Sequence, residues 1–140
     1  MTILELKKLM IDDFVYSRKH HQTVRVWAVG PGYIQCYVGG LLTEIGNDDV
    51  DPIKLTDELL ERNGFVLQKE SSIAKEYICA LGGGPDHNLF VTVFKNRNFV
   101  KVYYCPIDAS TMIDENIPHC AVHQLQHALS SCDIEKEITL

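Results

Sequence analysis

The stretch Thr23-Val-Arg-Val-Trp-Ala-Val-Gly-Pro-Gly-Tyr-Ile-Gln-Cys-Tyr-Val38 decides the first part of the fold. Its two ends are rich in β-branched and aromatic residues, and the Gly-Pro-Gly between them is a turn signal. Because side chains alternate along a strand, Val24 and Val26 lie on one face, while Trp27 and Val29 lie on the other. The pattern predicts two strands joined by a tight turn.

Shorter strand signals lie on both sides of this hairpin. Phe14-Val-Tyr16 precedes it, Arg18 to Gln22 forms a polar hairpin tip, and Leu41 to Ile45 gives a fourth strand. Short strands connected by tight turns within about 50 residues are typical of a small curled sheet or SH3-like barrel. We therefore expect a small SH3-like β unit at residues 1–53.

The remaining residues mix helix and strand signals. Leu55-Thr-Asp-Glu-Leu-Leu-Glu-Arg-Asn-Gly-Phe65 predicts a helix over 56–63, with Thr56 as its N-cap and Gly64 as its left-handed stop. Antiparallel strands are expected within 65–105, at Phe65–Gln68, Glu76–Leu81, Leu89–Phe94 and Phe99–Cys105. Pro118 is expected to open a second helix over 118–131, followed by a charged closing segment, Asp133 to Ile138, with edge-strand character.

These signals predict an α+β fold, in which the small SH3-like unit is followed by a helix, an antiparallel β meander and a C-terminal helix. Residues 54–140 form the second unit, and we expect the two units to pack as one globule. The chain has 140 residues, of which 46% are hydrophobic. This length and composition are typical of a globular protein.

Charge and cysteine usage restrict the class of protein. The formal net charge is −6, which argues against a protein whose main task is to hold nucleic-acid phosphates. Charged residues interrupt the N-terminus too early for a secretory signal, and glycines divide the longest uncharged run, Val26 to Thr43. The five cysteines contain no C-x-x-C pair. We expect a cytoplasmic protein without a membrane segment, whose cysteines are reduced and mostly buried.

Two sequence boxes resemble a known group of proteins. They are Leu55 to Phe65, of the form LTxExLxxxGF, and Val122-His-Gln-Leu-Gln-His-Ala-Leu129, of the form VHxLQ, followed by Ile134 to Ile138. In this order they resemble a family of small uncharacterised proteins from gut Bacteroidetes and their phages and mobile elements. A weaker match covers Leu9 to Tyr16, where Met10 to Asp13 replaces a glycine-bearing turn. The resemblance implies a phage or mobile-element origin but no activity and no functional residue.

The histidines of the C-terminal helix are candidate metal ligands. His119, His123 and His127 are four residues apart, and His123-Gln-Leu-Gln-His127 has the spacing of a zinc-protease motif. The glutamate that such a protease uses as its general base is replaced by Gln124, so that mechanism is excluded. Helical geometry places the histidines opposite the apolar stripe of Leu125, Ala128 and Leu129. We expect a solvated face, with a partner-contact face and a metal site as alternatives.

Other suggestive motifs lack a required part. The acidic run Asn47 to Asp51 resembles a calcium loop but has Pro52 where a glycine is needed. The Gly82–His87 segment is glycine-rich, yet no Lys-Ser or Lys-Thr and no helix follow it. Cys120 and His123 lack the third, orienting group of a thiol protease. No complete catalytic motif is present, and we expect neither an enzyme nor a cofactor.

One basic-aromatic patch remains as a binding candidate. It comprises Arg18, Lys19, His20, His21, Arg25 and Trp27. Basic loops beside exposed aromatic rings can bind single-stranded nucleic acid, but a charged hairpin tip above a core tryptophan agrees better with the negative net charge. The leading hypothesis is a non-catalytic protein-interaction module with an unknown protein partner. The alternatives are a weak single-stranded nucleic-acid binder at this patch and a metal-binding protein at the histidine helix. A homo-oligomer is compatible with all three hypotheses.

Overall fold

A computed structural model describes residues 1–82, 87–95, 99–105, 109–114 and 120–140, with the backbone alone at 99, 105, 109, 110, 113 and 114. The chain divides into two compact units, Met1–Ile53 and Lys54–Leu140, each with one antiparallel five-stranded sheet. Two antiparallel sheets with short helices confirm the predicted α+β class. None of the helices in the described ranges is long and apolar enough to cross a membrane.

The first unit is a small sheet preceded by one helical turn. Its elements are α1 (Ile3–Leu6), β1 (Phe14–Ser17), β2 (Gln22–Gly30), β3 (Tyr33–Val38), β4 (Leu41–Gly46), a 3-10 turn (Asn47–Asp49) and β5 (Val50–Pro52). The strands are ordered β4-β3-β2-β1-β5. The predicted strands are confirmed. Two elements were not predicted: α1, although Thr2 and Glu5 form a capping box, and β5, where Pro52 obscures the strand pattern.

Alternation along the strands builds the core of this unit. The inward-facing residues are buried and aliphatic or thiol-bearing, and they include Leu6, Val15, Val24, Val26, Ile34, Cys36, Ile45 and Val50. At the β2–β3 turn, Gly30 pairs with Tyr33, whose ring occupies the space above the glycine. A Cβ at Gly30 would collide with that ring, so the Tyr33 side chain would have to move to accommodate any larger residue. The Gly-Pro-Gly turn is therefore also a packing site.

The second unit places its helices against an antiparallel meander. Its elements are α2 (Asp57–Arg62), β6 (Val66–Glu70), β7 (Ala74–Ala80), β8 (Asn88–Phe94), β9 (Phe99–Cys105), β10 (Ala109–Asp114) and α3 (Val122–Ser131), and α3 packs on β9 and β10. The predicted α2 is confirmed: the Thr56 side chain accepts the Leu59 N–H at 3.2 Å, and Gly64 has φ +83°.

Three predictions for the second unit are wrong in detail. The C-terminal helix begins at Val122, because Ala121 is extended and forms a bridge with Lys54, and the predicted start at Pro118 lies outside the described residues. The meander has a fifth strand, β10, which the sequence analysis missed. The closing segment 133–138 is not a strand. Ile138 is buried instead, and the amide of Asn63 forms 2.8 Å hydrogen bonds with the backbone N–H and C=O of Thr139.

Candidate functional site

The basic-aromatic patch lies at the β1–β2 turn and on the outer face of β2. Arg18 to His21 form the turn between the two strands. Because Val24 and Val26 are buried, Arg25 and Trp27 project from the opposite side of β2. The structure thus separates the patch into a polar turn and a sheet face.

Both arginines of the patch are paired with carboxylates. The Arg18 guanidinium lies 3.2 Å from Asp51 and also donates to the backbone carbonyl of Asp48. Arg25 lies 3.5 Å from Asp12, with its guanidinium carbon 5.1 Å from the centre of the Phe14 ring. Neighbouring carboxylates reduce the attraction that these cations have for a phosphate backbone.

The histidines of the patch are part of the structure of the β1–β2 turn. His20 lies 3.0 Å from the buried Ser17 hydroxyl through its ring Nδ1, and its backbone N–H donates to the same oxygen at 3.2 Å. His21 has φ +51°, which closes the turn. Short local bonds of this kind are typical of turn residues. Lys19, which precedes the two histidines, is exposed in the same turn.

The sheet face carries an exposed group of large side chains, which we call the outer-face cluster: Trp27, Tyr37 and Leu42. Trp27 and Tyr37 are each 54% exposed, and Leu42 is 51% exposed. The two rings meet edge to face at 5.7 Å, and Leu42 is the cross-strand partner of Tyr37. The prediction of a core tryptophan is wrong. Trp27 belongs to a surface formed by three strands, which no element of the described ranges covers.

A bulge in β2 interrupts the side-chain alternation after Trp27, so Val29 packs against the core and not beside Trp27 as the alternation predicts. The β2–β3 register shifts between Val26 and Ala28, which places a bulge at the tryptophan. Bulges bend the strand and re-aim one side chain. Tyr37 and Leu42 were not predicted to belong to a site. Alternation opposite Ile34 and Cys36 could have placed Tyr37 on the outer face, but the pairing of Leu42 with it depends on strand register.

The histidine helix differs from its expected solvated form. His123 is 1% exposed, and His127 is 9% exposed, with their rings 5.6 Å apart. The expectation of a solvated histidine face is therefore wrong: the helix buries both its histidines and its apolar stripe. His119 lies outside the described residues. Gln124 is also buried, and its side chain accepts the Ala121 N–H at 2.8 Å at the helix start. No group of three metal-ligating side chains occurs in the part of the chain that the structure describes.

A separate polar network lies between α2 and β7. The Asp57 carboxylate accepts from Lys75 at 2.5 Å and from the Tyr77 hydroxyl, and Lys95 lies 2.8 Å from Glu70. Hydrogen bonds from Lys75 and Tyr77 lower the pKa of Asp57, and the bond to Asp57 raises the pKa of Lys75. Burial and the bond to Asp57 raise the pKa of Tyr77. These shifts move the pKa values of the three groups further from pH 7. The network is therefore better suited to anchoring α2 than to acid–base catalysis.

The network predicts an acid-dependent contribution to stability. A carboxylate whose pKa is lowered by folding stabilises the native state above its unfolded pKa of about 4, and the contribution is lost as pH falls through the lowered value. We expect Asp57→Asn to lower the free energy of unfolding by up to about 1 kcal/mol at neutral pH, since the pair is partly exposed. Denaturant curves from pH 7 to pH 2 measure this difference, which should vanish at the acid end.

Glu58→Gln removes a charge from the same helical turn and is the matched control. A difference between wild type and Asp57→Asn that stays constant down to the lowest pH would contradict the assignment, because an uncharged contact carries no such titration.

The described cysteines behave as small buried residues. Cys36, Cys79 and Cys120 are buried and unlinked, and Cys132 is half-buried. Burial raises the pKa of the Cys36, Cys120 and Cys132 thiols, which disfavours the nucleophilic thiolate. Of the two remaining loop motifs, the acidic run forms the 3-10 turn and β5, and most of the glycine-rich segment lies outside the described residues.

Comparison with known proteins adds no relative: no family model, curated protein or solved structure matches this chain.

Proposed function

We propose that this protein is a non-catalytic protein-interaction module of phage or mobile-element origin, acting in the cytoplasm. Its SH3-like first unit binds a protein partner through the outer-face cluster. The proposed origin rests on the resemblance of the Leu55–Phe65 and Val122–Leu129 boxes. The proposed mode of action rests on the exposed outer-face cluster of the first unit's sheet.

The exposure of the outer-face cluster is the observation that carries the proposal. Three large side chains on three adjacent strands are about half exposed, and they touch or pair with one another. Monomeric proteins rarely leave contiguous apolar groups uncovered unless a partner covers them. Tryptophan and tyrosine are also the residues that dominate binding energy at interfaces. Their strands hold them in place, which lowers the entropic cost of binding.

The chemistry of the other clusters supports a binding role. The Asp57–Lys75–Tyr77 network has pKa values displaced from neutrality, and three described thiols have raised pKa values. Neither arrangement favours proton transfer or nucleophilic attack near pH 7.

A single-stranded nucleic acid is the second candidate partner. Arg25 and Trp27 share the outer face of β2, and stacking rings beside a cation are typical of such binders. The pairing of Arg18 with Asp51 and of Arg25 with Asp12 favours the protein partner instead. A metal ion at His123 and His127 is the third hypothesis, which metal analysis of untagged protein tests directly.

Substitution of Trp27 tests the proposed function. We expect Trp27→Ala to weaken binding of a partner captured from the source cells about 30-fold or more, because interface tryptophans contribute about 2 kcal/mol or more. Calorimetry with the purified partner measures this change. Tyr103→Ala, at a half-exposed tyrosine of the second unit, is the matched control and should bind like wild type.

Two other results would contradict a protein partner at the outer-face cluster. Capture that nuclease treatment removes, and that Arg18→Glu abolishes at low salt, would assign the face to nucleic acid. Equal binding by wild type and Trp27→Ala would reject the outer-face cluster as the contact surface.

A further inference from the structure

The end strand β4 is an open sheet edge. Among the described residues it pairs with β3 alone. It is six residues long and contains no proline and one charged residue, Glu44. The opposite edge of the same sheet, β5, has three residues and ends in Pro52. Proteins commonly protect edge strands by shortness, proline or charge, and β4 has little of this protection.

The turn before β4 determines which backbone groups point away from β3. Gly39 and Gly40 have φ of +57° and +81° and connect the paired residues Val38 and Leu41, which defines a two-residue hairpin turn. Such a turn is closed by a hydrogen-bonded pair, and bonded and non-bonded pairs then alternate. The N–H and C=O groups of Leu42 and Glu44 therefore point to the open edge.

The side chains along this edge are exposed and mainly apolar. Leu41 is 73% exposed and Leu42 is 51% exposed. Glu44 accepts a 3.1 Å hydrogen bond from Gln35 on β3, which holds its carboxylate over the sheet face. Leu42 and Glu44 thus offer two donors and two acceptors at a two-residue spacing along the edge, beside apolar side chains.

We propose that this edge pairs with the β4 edge of a second copy, antiparallel about a two-fold axis, with Thr43 opposite Thr43 of the second copy. Leu42 of each copy then lies opposite Glu44 of the other copy, so the N–H and C=O groups of both residues form hydrogen bonds across the edge. The required partner is an extended strand with the same spacing of groups, and β4 itself meets that requirement. A dimer of this kind joins two sheets into one of ten strands.

Charge and backbone geometry select this register over its neighbours. A register centred on Glu44 would place two carboxylates directly opposite each other, which is unfavourable. A register centred on Leu42 would require Gly40 in an extended conformation, whereas its φ of +81° places it in the turn. Centring on Thr43 avoids both conflicts. The dimer needs no molecule other than this chain, so a test of the dimer is independent of a test of the proposed function.

Sedimentation velocity over a range of concentrations tests the dimer. Wild type is compared with two variants that place opposite charges at the exposed position of Leu42. Wild type should show a reversible monomer–dimer equilibrium. Leu42→Glu places like charges opposite each other twice per dimer and should raise the Kd about tenfold. Leu42→Lys places a cation opposite Glu44 of the second copy and should bind as tightly as wild type or tighter.

Disulfide trapping tests the register itself. In the proposed pairing the two Thr43 Cα atoms form a non-hydrogen-bonded pair about 4.5 Å apart, within disulfide range. Thr43→Cys should therefore form a covalent dimer on mild oxidation, above the level given by the native cysteines of wild type. Glu44→Cys, displaced by two residues from its own copy, is the matched control and should not.

A wild-type chain that remains monomeric at its highest soluble concentration would overturn the dimer. Equal weakening by Leu42→Glu and Leu42→Lys, or cross-linking by Glu44→Cys instead of Thr43→Cys, would overturn the register.

Discussion

Leu125→Ala is expected to lower the free energy of unfolding by about 2–5 kcal/mol, because it opens a cavity in a fully buried part of α3. The helix packs on β9 and β10, so the void lies inside the second unit. Denaturant unfolding followed by far-UV circular dichroism measures the loss. Ser130→Ala, at an exposed position on the same helix, should change stability by less than about 0.5 kcal/mol.

Substitution of His123 on the same helix can also be compared with Ser130→Ala. A solvated histidine could be replaced by alanine at little cost, but His123 is buried against the ring of His127. We expect His123→Ala to cost more than about 1 kcal/mol, because a large buried ring is lost. A cost as small as that of Ser130→Ala would mean that this face of the helix is open to water.

The position of the sole tryptophan allows the two units to be followed separately. Trp27 lies in the first unit, whereas Leu125 lies in the second. Fluorescence therefore reports the first unit, and circular dichroism reports both. If the units pack as one globule, as the sequence analysis predicts, Leu125→Ala should shift both transitions together. A shift in circular dichroism alone would contradict that prediction.

Asn63→Asp is expected to cost about 3 kcal/mol or more. The Asn63 amide is buried and donates 2.8 Å hydrogen bonds to the carbonyls of Leu59 and Thr139. An introduced carboxylate has no proton to donate at neutral pH and would face both carbonyls as a buried charge. Denaturant curves at neutral pH measure the cost, and Gln68→Glu, which adds the same charge at an exposed position, is the control.

The pH dependence of this variant tests its cause. Burial raises the folded-state pKa of the introduced carboxyl above its unfolded value of about 4, so the charge penalty is largest above the raised pKa. The penalty should decrease as pH falls and the carboxyl takes up a proton. A penalty independent of pH would assign the loss to shape alone and not to charge.

Local patterns were sufficient for most elements of the fold. Thr56 and Gly64 mark both ends of α2, and the alternation from Thr23 to Val38 predicts β2, β3 and the turn between them. Signals of this kind depend on neighbouring residues only, so they are readable in the sequence. By contrast, β10 and the closing segment lack a clear local pattern, and their conformations depend on pairing with β9 and on hydrogen bonds to Asn63.

The candidate sites were less predictable, because burial is not a local property. The sequence analysis placed His123 and His127 on the polar side of their helix, but both are buried with the apolar stripe. Trp27 was predicted in the core, but no described element covers the outer face of β2, and the ring is exposed. Helical and strand periods give the relative directions of side chains but not what packs against them.

The sequence by itself determined the α+β class, the positions of most strands and the ends of α2, because capping residues, turn glycines and alternating apolar residues act over a few positions. Only the tertiary structure decided that Trp27, Tyr37 and Leu42 meet on one surface and that the histidines are buried. Those outcomes depend on strand register and on contacts between residues far apart in the chain. A shift of one residue in register would move Leu42 to the other side of the sheet.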